Sequence, residues 1–282
     1  MHINGLYYEN TESNPSSELI TTILDVHDGM QEEIPRFCFH NSLPIAGNCR
    51  MCAIELDGVP KPVASCAYPG LPNVKSYNQS AVTIAARENI LEFLLINHPL
   101  DCPICDQGGE CDLQDQTYNY GSDASRFFFF KKSSVEDKNF KGTIKTIMTR
   151  CIQCTRCVRY EESYVEDRKL GITGRGNSSE ITNYTLASAL DSSCEGNAVD
   201  LCPVGALTSK QYAFTARPWE IRNYNSIDIF DGIGSNIQVG SAKNVVSRIL
   251  PRANKNINME WTTNRARLLP LLQKKKKIKF EY

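Results

Sequence analysis

The sequence predicts an α+β protein made of several small domains organised around cysteine side chains. Three observations support this fold class. The 282 residues are 41% hydrophobic and 22% charged, an ordinary composition for a soluble globular chain. Short strand patterns precede one clear helical pattern and return after it. The 12 cysteines fall into groups separated by cysteine-free stretches.

The N-terminal elements predict a small α+β unit. His2–Tyr8 and Leu19–Val26 predict two strands, or a strand and a helix, before the turn His27–Gly29. Met51–Leu56 alternates apolar and polar residues and predicts a strand, and Pro62–Ser65 predicts another.

The middle of the chain carries the clearest helical pattern. Ala81–Asn97 has apolar residues at helical spacing, with Ser80 as a candidate N-cap and Pro99 as a stop signal. A shorter helix is predicted to follow Cys111 and to extend to Tyr118.

The remaining elements predict strands. The four-phenylalanine run within Arg126–Lys132 predicts a buried linker strand. Ile227–Phe230, Ile237–Val239 and Val245–Leu250 predict a small β-rich piece, and Lys274–Lys279 predicts a basic, solvated tail. The glycines fit no dinucleotide-binding pattern, and no nucleophile arrangement is present, so we assign no catalytic residue.

The charge balance argues against two kinds of partner. The chain has 31 Lys and Arg against 32 Asp and Glu, so its net charge of -1 creates no general attraction to nucleic acid or an anionic membrane. The longest apolar run, Ile90–Ile96, is interrupted by Glu92 and is far shorter than the roughly 20 residues of a membrane helix. We therefore expect no nucleic-acid partner and no direct membrane span. We also expect no targeting presequence.

The first cysteine group fits a [2Fe–2S] site. Its pattern is C-x10-C-x2-C-x13-C, formed by Cys38, Cys49, Cys52 and Cys66. This layout is similar to that of plant-type ferredoxins, although its first gap is longer. Gly47 lies just before the close pair and lets the backbone direct N–H groups at cluster sulfurs.

A later group predicts a [4Fe–4S] site, because three cysteines at steps of three residues suit three corners of a cubane. These are Cys151, Cys154 and Cys157. The fourth ligand must come from a distance, and Cys202 is favoured because a proline follows it, as is typical of remote ligands. Cys194 is the competitor, which we rank as a buried or free thiol.

The middle group has only three cysteines and needs a fourth ligand. The three are Cys102, Cys105 and Cys111. His98 lies at the end of the predicted helix, where a lone histidine more often interacts with the last carbonyl groups. Beside an incomplete set, ligation becomes the better interpretation, which predicts a second [4Fe–4S] site with one histidine.

Zinc is the alternative for all three groups, because sets of four cysteines or of three cysteines and one histidine are common zinc geometry. Zinc explains the middle group nearly as well as an iron–sulfur cluster does. It explains the wide gaps of the first group and the three-residue steps of the later group poorly. A zinc-stapled structural subunit therefore remains a second hypothesis.

Laid side by side, the three groups resemble the N-terminal part of the largest iron–sulfur subunit of respiratory complex I, NADH:ubiquinone oxidoreductase. The resemblance extends over long specific stretches: Ile45–Cys52, Pro60–Cys66, His98–Asp115, Met148–Cys157, Cys202–Lys210 and Phe214–Glu220. It implies the same twelve ligands in the same three sets.

The resemblance also implies a domain organisation. It predicts a ferredoxin-like β-grasp [2Fe–2S] domain over 1–78 and a helical [4Fe–4S] domain over 79–120. An all-cysteine [4Fe–4S] domain would follow over 121–220, and a small molybdopterin-oxidoreductase-like domain with the basic tail over 221–282. Family members continue into a larger C-terminal domain, and we expect the chain to lack it or a separate chain to supply it.

The function implied by the resemblance is electron transfer from NADH and FMN towards ubiquinone, in the peripheral arm of complex I. The expected partners are the flavin- and NADH-binding subunit and further iron–sulfur subunits. The expected location is the matrix side of the mitochondrial inner membrane, or else the cytoplasmic face of a bacterial membrane. The nearest alternative is the iron–sulfur diaphorase subunit of a soluble NAD-reducing hydrogenase, which has a similar three-cluster layout.

Overall fold

A computed structural model of the chain describes residues 2–4, 6–7, 21–131, 138, 140, 142–166, 168–183 and 194–273. The chain divides into two compact units, each formed by segments that are distant in sequence. The first unit comprises Met1–Pro99, Asp112–Lys132 and Ile152–Arg156, and the remaining segments form the second unit. The division into four consecutive domains stays a prediction.

A five-stranded mixed sheet forms the framework of the first unit. Its strands are β1 (His2–Ile3), β2 (Leu6–Tyr7), β3 (Ala53–Leu56), β4 (Val63–Ala64) and β5 (Lys75–Tyr77). They lie in the order β2-β1-β5-β3-β4, and only β1 and β5 pair in parallel. The strands predicted at Met51–Leu56 and Pro62–Ser65 are confirmed as β3 and β4, whereas β5 was not predicted.

Helix α1 (Ile23–Gly29) packs into the same core as this sheet. Thr22 caps it reciprocally: its hydroxyl accepts from the Asp25 N–H at 3.2 Å, and the Asp25 carboxylate accepts from the Thr22 N–H at 2.9 Å. The buried core of the unit contains two of the predicted ligands among its apolar residues: Ile23, Leu24, Val26, Ile34, Phe39, Cys52, Ile54, Leu56, Ala64 and Cys66.

Two further helices complete the first unit, α2 (Ala81–Leu95) and α3 (Asp112–Tyr120). The hydroxyl of Ser80 accepts the backbone N–H of Thr83 at 3.2 Å, which confirms the predicted N-cap. The predicted short helix after Cys111 is confirmed as α3.

The prediction of a buried strand at the four-phenylalanine run is wrong. No strand is assigned there, and Phe128–Phe130 are among the most exposed apolar residues of the described chain. Charged residues hold the segment by its two ends. Arg126 pairs with the Glu92 carboxylate, and the Lys131 ammonium donates to two carbonyl groups at the end of α2, at 2.6 and 3.1 Å.

Among the residues that the structure describes, the second unit has three small sheets. Strands β6 (Ile144–Thr146) and β9 (Leu207–Ser209) pair, β7 (Leu170–Thr173) and β8 (Glu180–Asn183) pair, and β10 (Arg222–Ile227), β11 (Asn236–Ala242) and β12 (Val245–Pro251) form an antiparallel sheet. The predicted β-rich piece is confirmed, although its first strand ends at the residue where it was expected to begin.

The described helices of this part of the chain are α4 (Arg156–Tyr164), α5 (Gly196–Leu201) and α6 (Asn264–Gln273). In the ranges that the structure describes, no helix has the length and apolar character to cross a membrane. The predicted basic tail at 274–279 lies outside the described residues.

Candidate metal centres

The first predicted set lies wholly within the first unit. Cys38 and Cys49 lie on the loop that leads from α1 to β3, Cys52 directly precedes β3, and Cys66 follows β4. Three of these side chains are completely buried, at 0 to 1% exposure, and Cys49 is partly buried. Cys52 and Cys66 also belong to the apolar core, so core packing positions two of the four side chains.

The loop around the close pair turns sharply to bring its thiols inward. Gly47 and Arg50 both adopt positive φ, at 62° for each. A Cβ built at Gly47 would meet no atom closer than 3.9 Å, so the backbone conformation, not the space, favours glycine there. The N–H of Cys38 points to the sulfur of Cys49 at 3.4 Å, which is the predicted kind of N–H···S contact.

The four thiols interact with one another. Cys49 and Cys66 hydrogen-bond to the sulfur of Cys38 and lower the pKa of Cys38 to about 2, with the larger effect from Cys49. Cys66 likewise lowers the pKa of Cys52 to about 6, while the contact with Cys38 raises the pKa of both Cys49 and Cys66. Two of the four sulfurs are therefore stabilised as thiolates, the form that binds iron. The structure brings this predicted set together.

The three cysteines of the middle set belong to the second unit. Cys102 begins a single 3₁₀ turn, and the N–H of Cys105 closes it by donating to the Cys102 carbonyl at 3.3 Å. The segment after Cys202 lies beside two of the three thiols. The sulfur of Cys111 is 3.7 Å from the Pro203 carbonyl, and a Cβ built at Gly205 would lie only 2.2 Å from the sulfur of Cys105.

Arg217 fixes the loop that carries this set. Its guanidinium donates to the carbonyl oxygens of Cys105 at 2.5 Å, Pro103 at 2.6 Å and Gly108 at 3.4 Å. Trp219 lies against Gly109, whose φ is +93° and where a Cβ would be 2.6 Å from the indole ring. A cation and an aromatic ring from one segment thus hold the whole loop in place.

His98 belongs to the first unit and lies just beyond the C-terminus of α2. Its backbone N–H donates to the Leu95 carbonyl at 3.3 Å, and its side chain is half-buried. Ligation by His98 stays a prediction.

The third set is divided between the two units. Cys157 lies in the first turn of α4 within a buried apolar cluster, and Cys151 and Cys202 pack against the same cluster. Although part of Cys202 reaches solvent, desolvation of its sulfur raises the pKa of the thiol to about 11. The core that holds Cys151 and Cys157 thus includes the predicted remote ligand. Cys194, in contrast, is half-buried in the turn before α5.

Cys154 belongs to the short segment Ile152–Arg156 of the first unit and is buried. Positive φ values at the two residues beside it, 57° and 62°, turn the backbone around it. The segment contacts the loop of the first set: the Asn48 amide donates to the Gln153 carbonyl at 3.1 Å, and the Arg156 guanidinium donates to the Phe39 carbonyl at 2.8 Å. That Cys154 joins the other three thiols stays a prediction.

Within the described ranges, no three or more His, Cys, Asp or Glu side chains are arranged to hold a single metal ion. Sequence reasoning missed Arg217 and Gly205 as residues of the middle set. Both lie in the stretches Cys202–Lys210 and Phe214–Glu220, which carry the resemblance, but their contacts are with residues about a hundred positions earlier in the chain.

Three family models match the chain. They are described as the NADH-quinone oxidoreductase subunit 3 ferredoxin-like domain, over residues 142–208, and the NADH-ubiquinone oxidoreductase-G iron-sulfur binding region, over 87–126. The third is the NADH-ubiquinone oxidoreductase NDSU1/NuoG-like 4Fe-4S domain, over 221–269. A mixed α/β chain with ferredoxin-like iron–sulfur domains is therefore established.

Several curated proteins are similar over most of the chain. The NADH-ubiquinone oxidoreductase 75 kDa subunit of Reclinomonas americana is 54% identical over 87% of the chain. The mitochondrial 78 kDa subunit of Neurospora crassa is 57% identical over 83%, and an NADH-quinone oxidoreductase subunit of the bacterium Rickettsia bellii is 50% identical over 88%. The matches span 35%, 32% and 36% of those proteins, so the chain corresponds to about a third of their length.

A solved structure is also similar. It is a crystal structure of NAD+-reducing [NiFe]-hydrogenase in the H2-reduced state, with a TM-score of 0.63 and 30% identity. The similarity covers 69% of this chain and 83% of the hydrogenase chain.

Proposed function

Because the chain belongs to the family of the large iron–sulfur subunit of NADH–ubiquinone oxidoreductase, respiratory complex I, we propose that it is an electron-transfer subunit of that complex. It would pass electrons that originate from NADH and FMN towards ubiquinone. In this role the chain would carry electrons and perform no bond-making chemistry itself. Iron–sulfur clusters, when bound, supply one-electron redox chemistry.

The convergence of four thiols in the first unit, three of them fully buried, carries this proposal. Two of them are stabilised as thiolates, and an N–H of the loop points to one sulfur. These are the ligands and the contacts that an iron–sulfur cluster requires. We assign a [2Fe–2S] cluster to this set, held by Cys38, Cys49, Cys52 and Cys66 in a β-grasp domain.

We assign a [4Fe–4S] cluster to each of the other two sets. The ligands would be His98, Cys102, Cys105 and Cys111 for one cluster, and Cys151, Cys154, Cys157 and Cys202 for the other. For the middle set, the support is the Arg217 contacts, which fix the cysteine loop, and the close approach of Gly205 to Cys105, which leaves no space for a side chain there. For the last set, the apolar cluster that Cys151, Cys157 and Cys202 share supports a water-excluded site.

The assembly we propose is the peripheral arm of complex I. The partners would be the flavin- and NADH-binding subunit and other iron–sulfur subunits. The location would be the matrix side of the mitochondrial inner membrane, or the cytoplasmic face of a bacterial membrane. The mitochondrial relative of Neurospora crassa supports the first setting and the bacterial relative of Rickettsia bellii the second.

The hydrogenase alternative rests on the structural similarity, which covers most of that hydrogenase chain. Its 30% identity is well below the 50 to 57% of the complex I relatives, so complex I is favoured. Isolation of the chain from its native source distinguishes them. Copurification with NADH-dependent ubiquinone reduction supports complex I, whereas copurification with hydrogen-dependent reduction of NAD+ supports the alternative.

Cluster content tests the proposal directly. Iron and acid-labile sulfide are measured on the full chain purified without oxygen, and we expect about ten irons per chain. Cys202→Ser should remove about four of them, whereas Cys194→Ser, a change at the other half-buried thiol, should remove none. Zinc in place of iron would overturn the electron-transfer function. Iron loss from Cys194→Ser alone would overturn the assignment of the remote ligand.

A further inference from the structure

A buried cation lies next to the first site. Arg87 projects from α2 and is only 3% exposed. Its guanidinium donates to the Ala53 carbonyl at 3.1 Å, to the Asn78 carbonyl at 3.1 Å and to the Asn78 side-chain oxygen at 2.6 Å. Because Ala53 directly follows Cys52, these contacts hold the positive charge beside a predicted ligand.

This guanidinium has no carboxylate to balance it among the described residues. Burial lowers the pKa of Arg87, and the nearby Tyr120 and Cys52 side chains offset part of this effect. The Tyr120 ring lies 5.7 Å from the guanidinium carbon and contributes a cation–π contact but no net charge. Burial of an unpaired cation is unfavourable unless a nearby group carries negative charge.

A [2Fe–2S] cluster with four thiolate ligands is such a group. It has a net negative charge, and one-electron reduction makes that charge more negative. A nearby buried cation stabilises the more negative form most, and water screens the interaction little because the guanidinium is buried. The net charge around a cluster is one of the factors that set its potential.

We propose that Arg87 tunes the first centre, its buried guanidinium stabilising the reduced form of the cluster held by Cys38, Cys49, Cys52 and Cys66. This inference rests on the proposed function, since it requires a redox cluster at that site. Arg87 is a positioning residue in this role, because it acts through the cluster ligands and not on a substrate.

The test is a redox titration of the full chain, purified without oxygen and followed by the electron paramagnetic resonance signal of the reduced [2Fe–2S] cluster. Arg87→Gln removes the charge, and Asn78→Asp places a carboxylate against the guanidinium in a nearly isosteric change. We expect both variants to weaken reduction of the cluster by about tenfold, a fall of about 59 mV in midpoint potential. Arg87→Lys retains the charge and should remain close to the unmodified protein.

Arg126→Gln is the matched control, because this arginine is exposed and already paired with Glu92 of α2. The midpoint potential of the cluster should not change in this variant. Unchanged potentials in both Arg87→Gln and Asn78→Asp would overturn the proposal. Loss of the signal in both Arg87→Gln and Arg87→Lys would also overturn it, since the guanidinium would then act through its hydrogen bonds. Absence of the signal from the unmodified chain would refute the proposed function instead.

Discussion

Gly205 offers the sharpest test of the middle site, because it leaves no room for a side chain beside Cys105. A Cβ at this position would lie 2.2 Å from the Cys105 sulfur, whereas ordinary contact begins at 3.4 Å. In Gly205→Ala the sulfur or the backbone must therefore move by about 1.2 Å. Metal–thiolate bonds tolerate changes of only about 0.2 Å. We expect loss of the cluster assigned to His98, Cys102, Cys105 and Cys111.

The expected destabilisation of the second unit by this overpacking is about 1–3 kcal/mol. The assay is iron and sulfide per chain, which should fall by about four irons, together with the spectrum of the reduced protein. Gly232→Ala is the control, because a Cβ there meets no atom within 4 Å and no positive φ is required. If Gly205→Ala retains its full iron content with unchanged spectra, the position assigned to the Cys105 ligand is wrong.

Three other predictions follow from the sites and the fold. His98→Cys exchanges a neutral imidazole for a thiolate, so the midpoint potential of its cluster should fall in a redox titration, and an unchanged midpoint would count against ligation by His98. Burial lowers the pKa of His27 below its ordinary value of about 6.5. The neutral imidazole therefore contributes its full stability above about pH 6.5, and this contribution is lost as the pH falls below that value. His27→Gln should therefore flatten the pH dependence of urea unfolding below about pH 6.5, and an unchanged slope would contradict this account. Ser80→Ala should cost about 0.5–2 kcal/mol in urea unfolding because the Thr83 N–H loses its acceptor, whereas Ser80→Asp should retain most of the stability; equal stability of all three would refute the cap.

The sequence predicts best those elements that local signals determine. The helix that follows Ser80 and the strands β3 and β4 lie where hydrophobic spacing and capping chemistry put them. Strand β5 has no such signal, since Lys75–Tyr77 contains a single buried side chain and is a strand because β1 and β3 pair with it.

Local apolar composition misplaced two segments. The exposed phenylalanines are held at the surface by the charged residues at either end of their segment, Arg126 and Lys131. A prediction from hydrophobicity alone does not include these polar contacts. Strand β10 consists largely of polar, exposed residues. Of the apolar residues expected to form it, Ile227 is its last residue. The residues that follow lie in a bend, where the Asp228 carboxylate accepts the Phe230 N–H at 2.9 Å.

The candidate ligands could be identified from the sequence because the spacing of cysteines reflects the geometry of an iron–sulfur cluster. The residues that support them could not. Arg87 meets the Ala53 carbonyl from 34 positions away, and Arg217 meets the Cys105 carbonyl from 112 positions away. Such contacts arise only when the chain folds, so no local pattern identifies them.

The mutual contacts of the four thiols in the first unit also determine how this site responds to air. A thiolate is the form of cysteine that peroxide attacks, and the pKa of Cys38 lies far below its ordinary value. A sulfenic acid formed there would have two neighbouring thiols, those of Cys49 and Cys66, with which to condense to a disulfide. We therefore expect protein exposed to air before cluster assembly to retain fewer titratable thiols and to accept less iron afterwards.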